Sequence, residues 1–214
     1  MRLMLYFLRH GLTAYSLTGG YSGTPENDPG LTPEGLDMAK AFAKAYGDHD
    51  WTAIFVSPLR RALQTAKPIA MATGLEIQIR DGLKEITYGD WEGKHPNLIN
   101  QEFHDDYVRW LADPAWNAPT NGERAVDIAR RCGRVIEEIE HTYPNGNVLI
   151  VSHKATIRIM LCELMGIDVG RYRDRFAMPV GALSIVELAD HGPMFHSLCD
   201  RSYLPDFLRA IPST

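Results

Sequence analysis

The chain reads as short, continuously apolar runs separated by segments of helical spacing. Residues 3–8 form the first run, which stops at Arg9-His10-Gly11. A run of that length closed by a glycine predicts a buried strand. Residues 51–56 and 76–79 repeat the pattern, and residues 147–152, centred on Val148-Leu149-Ile150-Val151, give the strongest instance. Between them, Thr32-Pro33-Glu34 opens a helix with an N-cap, a first-turn proline and a first-turn acid, and Gly47 closes it. Its expected inward face is Leu36, Ala39, Ala43 and Tyr46. Further helices are predicted after Ser57-Pro58-Leu59, over 96–111, over 123–143 and over 155–165. The third of these carries an apolar stripe of Val126, Ala129, Cys132, Gly133, Ile136 and Ile139. Residues 183–188 and 194–198 predict two closing strands joined at Asp190-His191-Gly192-Pro193, followed by an apolar tail of Leu204, Phe207, Leu208 and Ile211. Strands alternating with helices predict an α/β fold with a mostly parallel sheet.

Composition narrows this picture. A chain of 214 residues suits one sizeable domain, expected over 1–214. With 45% hydrophobic and 23% charged residues it is an ordinary globular composition. A formal net charge of -5 argues against general nucleic-acid binding, though not against a small phosphate site. No apolar run approaches the ~20 residues of a membrane span. The first run lacks a small-residue cleavage site, so it reads as a strand rather than a signal peptide. The 3 cysteines, Cys132, Cys162 and Cys199, form no CxxC pair, and the 8 histidines no HxxxH or HExxH spacing. Reduced thiols, a cytoplasmic location, no membrane partner and no metal site are the expectations.

Chemistry gathers at the strand ends, where open α/β sheets bind ligands. Four junctions carry Arg9-His10, the pair Arg60-Arg61, Glu85 and His153. One of the two arginines is expected to be solvated. Arginine grips phosphate oxygens with a planar fork, and histidine can act as nucleophile or acid/base near neutral pH. One nucleophile, several cations and one acid suit phosphoryl transfer through a covalent intermediate. The loop 12–29 is too long for a tight turn and reads as a working loop, with Tyr21-Ser22-Gly23-Thr24 offering hydroxyls and a flexible backbone.

At this point the motifs carry a resemblance. Leu8-Arg9-His10-Gly11, Ser57-Pro58-Leu59-Arg60-Arg61-Ala62 with Gln64-Thr65-Ala66, Leu83-Lys84-Glu85 with Trp91-Glu92-Gly93, and Val151-Ser152-His153 occur in one order. They resemble the histidine phosphatase superfamily, in its phosphoglycerate mutase-like branch, over residues 2 to about 188. The resemblance implies a three-layer α/β/α sandwich and a metal-independent reaction needing no cofactor. His10 would become phosphohistidine. Arg9, Arg60 and His153 would bind the phosphoryl oxygens, and Glu85 would protonate the leaving oxygen and then activate water. A frequent family asparagine is Ser16 here, which puts a hydroxyl at that contact. Ser22 and Gly23 fall where the mutases have a substrate-touching Thr-Gly pair. Lys154 stands where glycine is common and either adds a cation at the mouth or points to solvent. Tyr15, Tyr21, Trp91 and His104 are further candidate contacts.

Mutases of this family carry a longer, more basic segment between the acid and the second histidine. Here residues 94–121, a cap over the site, are short, acidic and aromatic, with Lys94 and Arg109 as the cations. A less basic site admits water, which favours a phosphatase of small phosphorylated metabolites over a mutase. Phosphoserine is the first substrate to expect, beside α-ribazole phosphates, sugar bisphosphates and phosphotyrosine. A catalytically silent phosphate-binding module is the alternative from another class. A homodimer stays open, since the tail and closing hairpin can pack internally or on a second copy.

Overall fold

Each apolar run becomes a strand in the computed structural model, which describes residues 2–212. Strands β1 (Leu3–Arg9), β2 (Trp51–Val56), β3 (Ile77–Ile79) and β4 (Gly146–Ser152) pair in parallel, and β5 (Leu183–Ala189) and β6 (Gly192–Asp200) close the sheet as an antiparallel hairpin. The order across the sheet is β3-β2-β4-β1-β5-β6. Around it lie α1 (Ala14–Thr18), α2 (Pro33–Tyr46), α3 (Arg60–Thr73), α4 (Pro96–Glu102), α5 (His104–Ala112), α6 (Ala125–Thr142), α7 (Lys154–Leu164), α8 (Tyr172–Arg175) and α9 (Asp206–Arg209).

Side-chain alternation divides the core into two layers. Leu3, Leu5, Phe7, Val148 and Ile150 join α6 and α7 on one face. Tyr6, Leu8, Ile54, Val56, Leu149 and Val151 meet Phe42 of α2 and Ala62, Ala66 and Ile69 of α3 on the other. Burial on both faces is why the strands read as unbroken apolar runs. The result is the expected three-layer sandwich.

Three local readings change. The helix expected over 96–111 is two helices, because Phe103 leaves helical geometry at φ -132 and ψ 39. Helix α2 is rotated from its expected face: Gly35, Met38, Ala39 and Phe42 are buried, and Leu36 is exposed. The cause is a close approach of two backbones. A Cβ on Gly35 would stand 2.2 Å from the Leu12 carbonyl oxygen, so glycine must face inward there. On α6 the buried stripe is Ala125, Ile128, Ala129, Cys132, Val135, Ile136 and Ile139, leaving Val126 and Gly133 half-buried. The tail packs internally through Leu204 and Leu208 against Leu12, Met38 and Val180, while Phe207 is exposed. Among the described residues, no helix is long and apolar enough to cross a membrane.

The Gly35 contact yields an expectation. Gly35→Ala should lower unfolding free energy by about 1–3 kcal/mol, as overpacking does. Denaturant titration measures it, and an unchanged midpoint would contradict the contact.

Candidate active site

Parallel pairing of β1, β2 and β4 puts their carboxyl ends on one edge. The register sets Arg9 beside Ser152, so the residues that follow, His10 and His153, leave the sheet side by side. Their ring centroids are 5.2 Å apart. The His10 amide donates to the Ser152 carbonyl at 3.0 Å, and the Gly11 amide donates to Thr65 Oγ1 of α3 at 3.0 Å.

The tautomer of His10 follows from its partners. Nδ1 lies 2.8 Å from the Gly11 carbonyl oxygen, which can only accept, so Nδ1 carries the proton. Nε2 then holds the lone pair, and Arg61 donates to it from Nε at 3.3 Å. Burial, followed by the charges of Arg61 and Arg9, holds the His10 imidazole well below its ordinary pKa. Burial and Arg61 do the same to His153. His153 Nε2 is 2.7 Å from Ser57 Oγ, and its Nδ1 is buried without a partner.

The arginine that reaches the site is Arg61, not Arg60. Arg61 is buried, whereas Arg60 is exposed and lies against Gly30. Helix geometry explains the correction: the inward face of α3 is Arg61, Ala62, Thr65, Ala66 and Ile69, and Arg60 lies off it. The Arg61 guanidinium is fixed on all sides. It pairs with the buried Asp28 carboxylate at 3.2 Å, and it donates to the Ser22 carbonyl at 2.8 Å and to Ser22 Oγ at 3.4 Å. The loop 12–29 is thereby tied to the start of α3. Arg9 is buried and donates from Nη1 to the Met178 carbonyl at 2.6 Å.

Glu85 is buried at the start of α7. Its Oε1 accepts from the amides of Ile86 at 3.0 Å and Thr156 at 3.2 Å, and from Thr156 Oγ1 at 3.1 Å. Oε2 accepts from the Ala155 amide at 3.2 Å. The segment is clamped from two other sides: Ser152 Oγ donates to the Leu83 carbonyl at 2.8 Å, and Arg131 donates to the Gly82 and Glu85 carbonyls at 2.6 and 3.2 Å. Arg131 of α6 thus holds the backbone on either side of the acid.

These groups face a cavity of about 600 Å³. Arg9, His10, Arg61 and Glu85 form its floor, with His153 directly behind them and fully buried. Of the expected contacts, Tyr15, Ser16, Tyr21, Ser22 and Lys154 line it. Gly23 does not, because its amide donates to the Glu92 carboxylate at 2.9 and 3.0 Å. Trp91 is fully buried, and His104 is turned outward onto Asn100, so neither lines the cavity. His95, Pro96, Asn97 and Trp110, from 94–121, form part of the wall. Tyr88, Arg158, Tyr172, Arg173 and Asp174 also line the cavity, and sequence reasoning gave none of them a role.

The two neutral histidines set a pH dependence of stability. Their folded pKa values lie below the unfolded value of about 6.5, so the unfolded chain binds more protons as pH falls. Their contribution is complete above that value and declines below it by up to about 1.4 kcal/mol per pH unit for each. Melting temperature should therefore drop between pH 7 and pH 5, and the drop should shrink in His153→Gln. An equal drop in that variant would contradict a buried neutral His153.

Comparison with known proteins agrees with this geometry. The family model described as histidine phosphatase superfamily (branch 1) matches residues 5–201. Phosphoserine phosphatase 1 of Hydrogenobacter thermophilus is 28% identical over 203 residues, covering 95% of each chain. Adenosylcobalamin/alpha-ribazole phosphatase of Escherichia coli is 30% identical over 164 residues, 77% of this chain and 80% of that one. The crystal structure of the alpha-ribazole phosphatase from Shigella flexneri superposes with a TM-score of 0.84 at 28% identity, covering 93% of this chain and 97% of that one. The chain therefore belongs to the histidine phosphatase superfamily, branch 1, and is a phosphatase of that family.

Proposed function

We propose that the protein hydrolyses a small phosphomonoester through a phosphohistidine on His10, without a metal ion, and that phosphoserine is its substrate. The observation that carries the reading is the single lone pair of His10 Nε2, left free by a proton fixed on Nδ1 and met by the Arg61 guanidinium at 3.3 Å. A phosphoryl group entering the cavity displaces the 3.3 Å contact from Arg61 Nε and takes that donor for its own oxygens. His153 adds a further donor. With the Ser57 hydroxyl donating to Nε2, the proton sits on the otherwise unpartnered Nδ1.

In the first step Nε2 forms a P–N bond, the ester P–O bond breaks, and Glu85 gives its proton to the leaving oxygen. In the second, Glu85 takes a proton from water, the new hydroxyl attacks phosphorus, the P–N bond breaks, and inorganic phosphate leaves. Negative charge on the transferring group is met by fixed cations and donors, which need no reorganisation as the charge develops. Ser16, Ser22, Tyr21 and Lys154 contact the substrate, with residues 94–121 as the cap. Phosphoserine is supported by the phosphoserine phosphatase of Hydrogenobacter thermophilus among the relatives. Location in the cytoplasm belongs to the same proposal.

Phosphate release in EDTA tests it, from a panel of p-nitrophenyl phosphate, phosphoserine, the phosphoglycerates, sugar phosphates and α-ribazole phosphate. Fastest release from phosphoserine is the expected result. Interconversion of phosphoglycerates without release would mean transfer rather than hydrolysis, and loss of activity in EDTA would contradict metal independence.

A further inference from the structure

The cavity holds more positive charge than a phosphoryl group needs. Beyond Arg9 and Arg61 it is lined by Lys154, Arg158 and Arg173. Arg61 has its carboxylate in Asp28. Among the described residues, Lys154, Arg158 and Arg173 form no ion pair within 4.0 Å. Of the two acids that line the cavity, Asp174 pairs with Arg171 at 3.6 Å, and Glu85 is held in the floor by donors from Ile86, Ala155 and Thr156.

Both arginines are nevertheless fixed. Arg158 follows Lys154 by one turn on α7, donates from Nη2 to the Ala177 carbonyl, and has a buried Nε with no partner. Arg173, on α8, holds its guanidinium carbon over the Trp110 ring, 3.9 Å from the centroid. Stacking orients a guanidinium while leaving its in-plane donors free. Burial first, then the charges of Arg9 and Arg158, push Lys154 down to about 7 against the opposing charge of Glu85.

Three aromatic side chains of the wall, Tyr21, Tyr88 and Trp110, are by contrast packed against neighbours. Tyr21 stacks on Tyr88 at 4.4 Å, and Trp110 is covered by Arg173 and met edge-on by Trp91 and Tyr21.

We infer that Arg158 and Arg173, with Lys154, form a second anion-binding subsite that selects esters whose alcohol half carries another oxyanion, a carboxylate or a second phosphate. This rests on the phosphatase reading above and adds the substrate's charge pattern to it. Fixed forks meet planar or tetrahedral oxyanions with two parallel hydrogen bonds.

Two matched pairs of esters test the subsite: phosphoserine against O-phosphoethanolamine, which lacks the carboxylate, and fructose 1,6-bisphosphate against fructose 6-phosphate. In the wild-type protein, kcat/KM should favour the more acidic member of at least one pair by about 30-fold or more, given the strength of charge-assisted hydrogen bonds. The preferred pair tells carboxylate from phosphate. In the double variant Arg158→Gln/Arg173→Gln that ratio should fall to within threefold of unity, carried by KM. Equal handling of both pairs by the wild type, or a ratio that survives in the variant, overturns the proposal. If the wild type releases no phosphate from any ester, p-nitrophenyl phosphate included, the phosphatase reading fails. Calorimetric affinities for the same four esters then decide the subsite: a preference for the acidic member upholds it, and equal affinities overturn it.

Discussion

His10→Ala is expected to lower phosphate release by roughly 10⁴–10⁶-fold, the scale on which loss of a nucleophile acts. The size follows from the division of labour in the site. In the proposed reaction the cations around the cavity stabilise charge and Glu85 moves a proton, while His10 presents its unprotonated Nε2 as the nucleophile. A general base in its place would be bypassed more easily, because water at high pH can partly substitute for it. The variant should keep its fold, since the backbone bonds at this position, from the His10 amide to Ser152 and from the Gly181 amide to the His10 carbonyl, do not involve the imidazole. Steady-state release with circular dichroism as a control measures both points. Residual activity within tenfold of wild type would remove His10 as nucleophile.

Arg61→Ala is expected to cost about 10²–10³-fold in kcat, the effect of removing one preorganised donor from a charged transition state. Arg60→Ala should stay within about twofold, as a surface substitution does. The contrast between neighbours is the sharp part of this expectation, because both are arginines in the first turn of one helix. Arg61 also acts on the nucleophile's protonation. Burial and then the Arg61 charge disfavour the imidazolium form of His10, so the acid limb of kcat/KM is expected below the ordinary histidine value of about 6.5 in the wild type. With Arg61→Gln the imidazole gains a proton more readily, and the limb should move up towards that value. A limb that stays in place or moves down would contradict the contact between Nε and Nε2. Loss in Arg60→Ala as large as in Arg61→Ala would contradict the assignment of the buried residue.

The two arginines also show where sequence reasoning stopped. Motif position alone leaves Arg60 and Arg61 equivalent. Helical spacing separates them, because residue 61 shares a face with Ala62, Thr65, Ala66 and Ile69, an inward set of small and apolar side chains. That signal was present in the chain and needed only to be extended into the first turn. The strands and their ends were legible because burial on both faces leaves long apolar runs, and because a polar pair at the end of such a run has no reason to be there except chemistry. Arg158 and Arg173 were not legible in the same way. Arg158 stands alone between Ile157 and Ile159 and Arg173 lies in a run of charged residues, and only tertiary packing shows that one donates to the Ala177 carbonyl and the other lies over Trp110. Gly23 fails for a related reason: whether its amide faces a ligand or the Glu92 carboxylate depends on a contact 69 residues away. The break at Phe103 divides a helix whose pattern on both sides is helical, and propensity alone does not mark it.

The central claim is a covalent phosphohistidine on His10. Rapid acid-free quenching during turnover of a ³²P-labelled ester, followed by peptide mapping, tests it most directly. The expected result is label that survives alkali, is lost in acid, maps to the peptide containing His10, and is absent from His10→Ala. Turnover that proceeds at full rate with no labelled protein at any time, or label on a different residue, would contradict it.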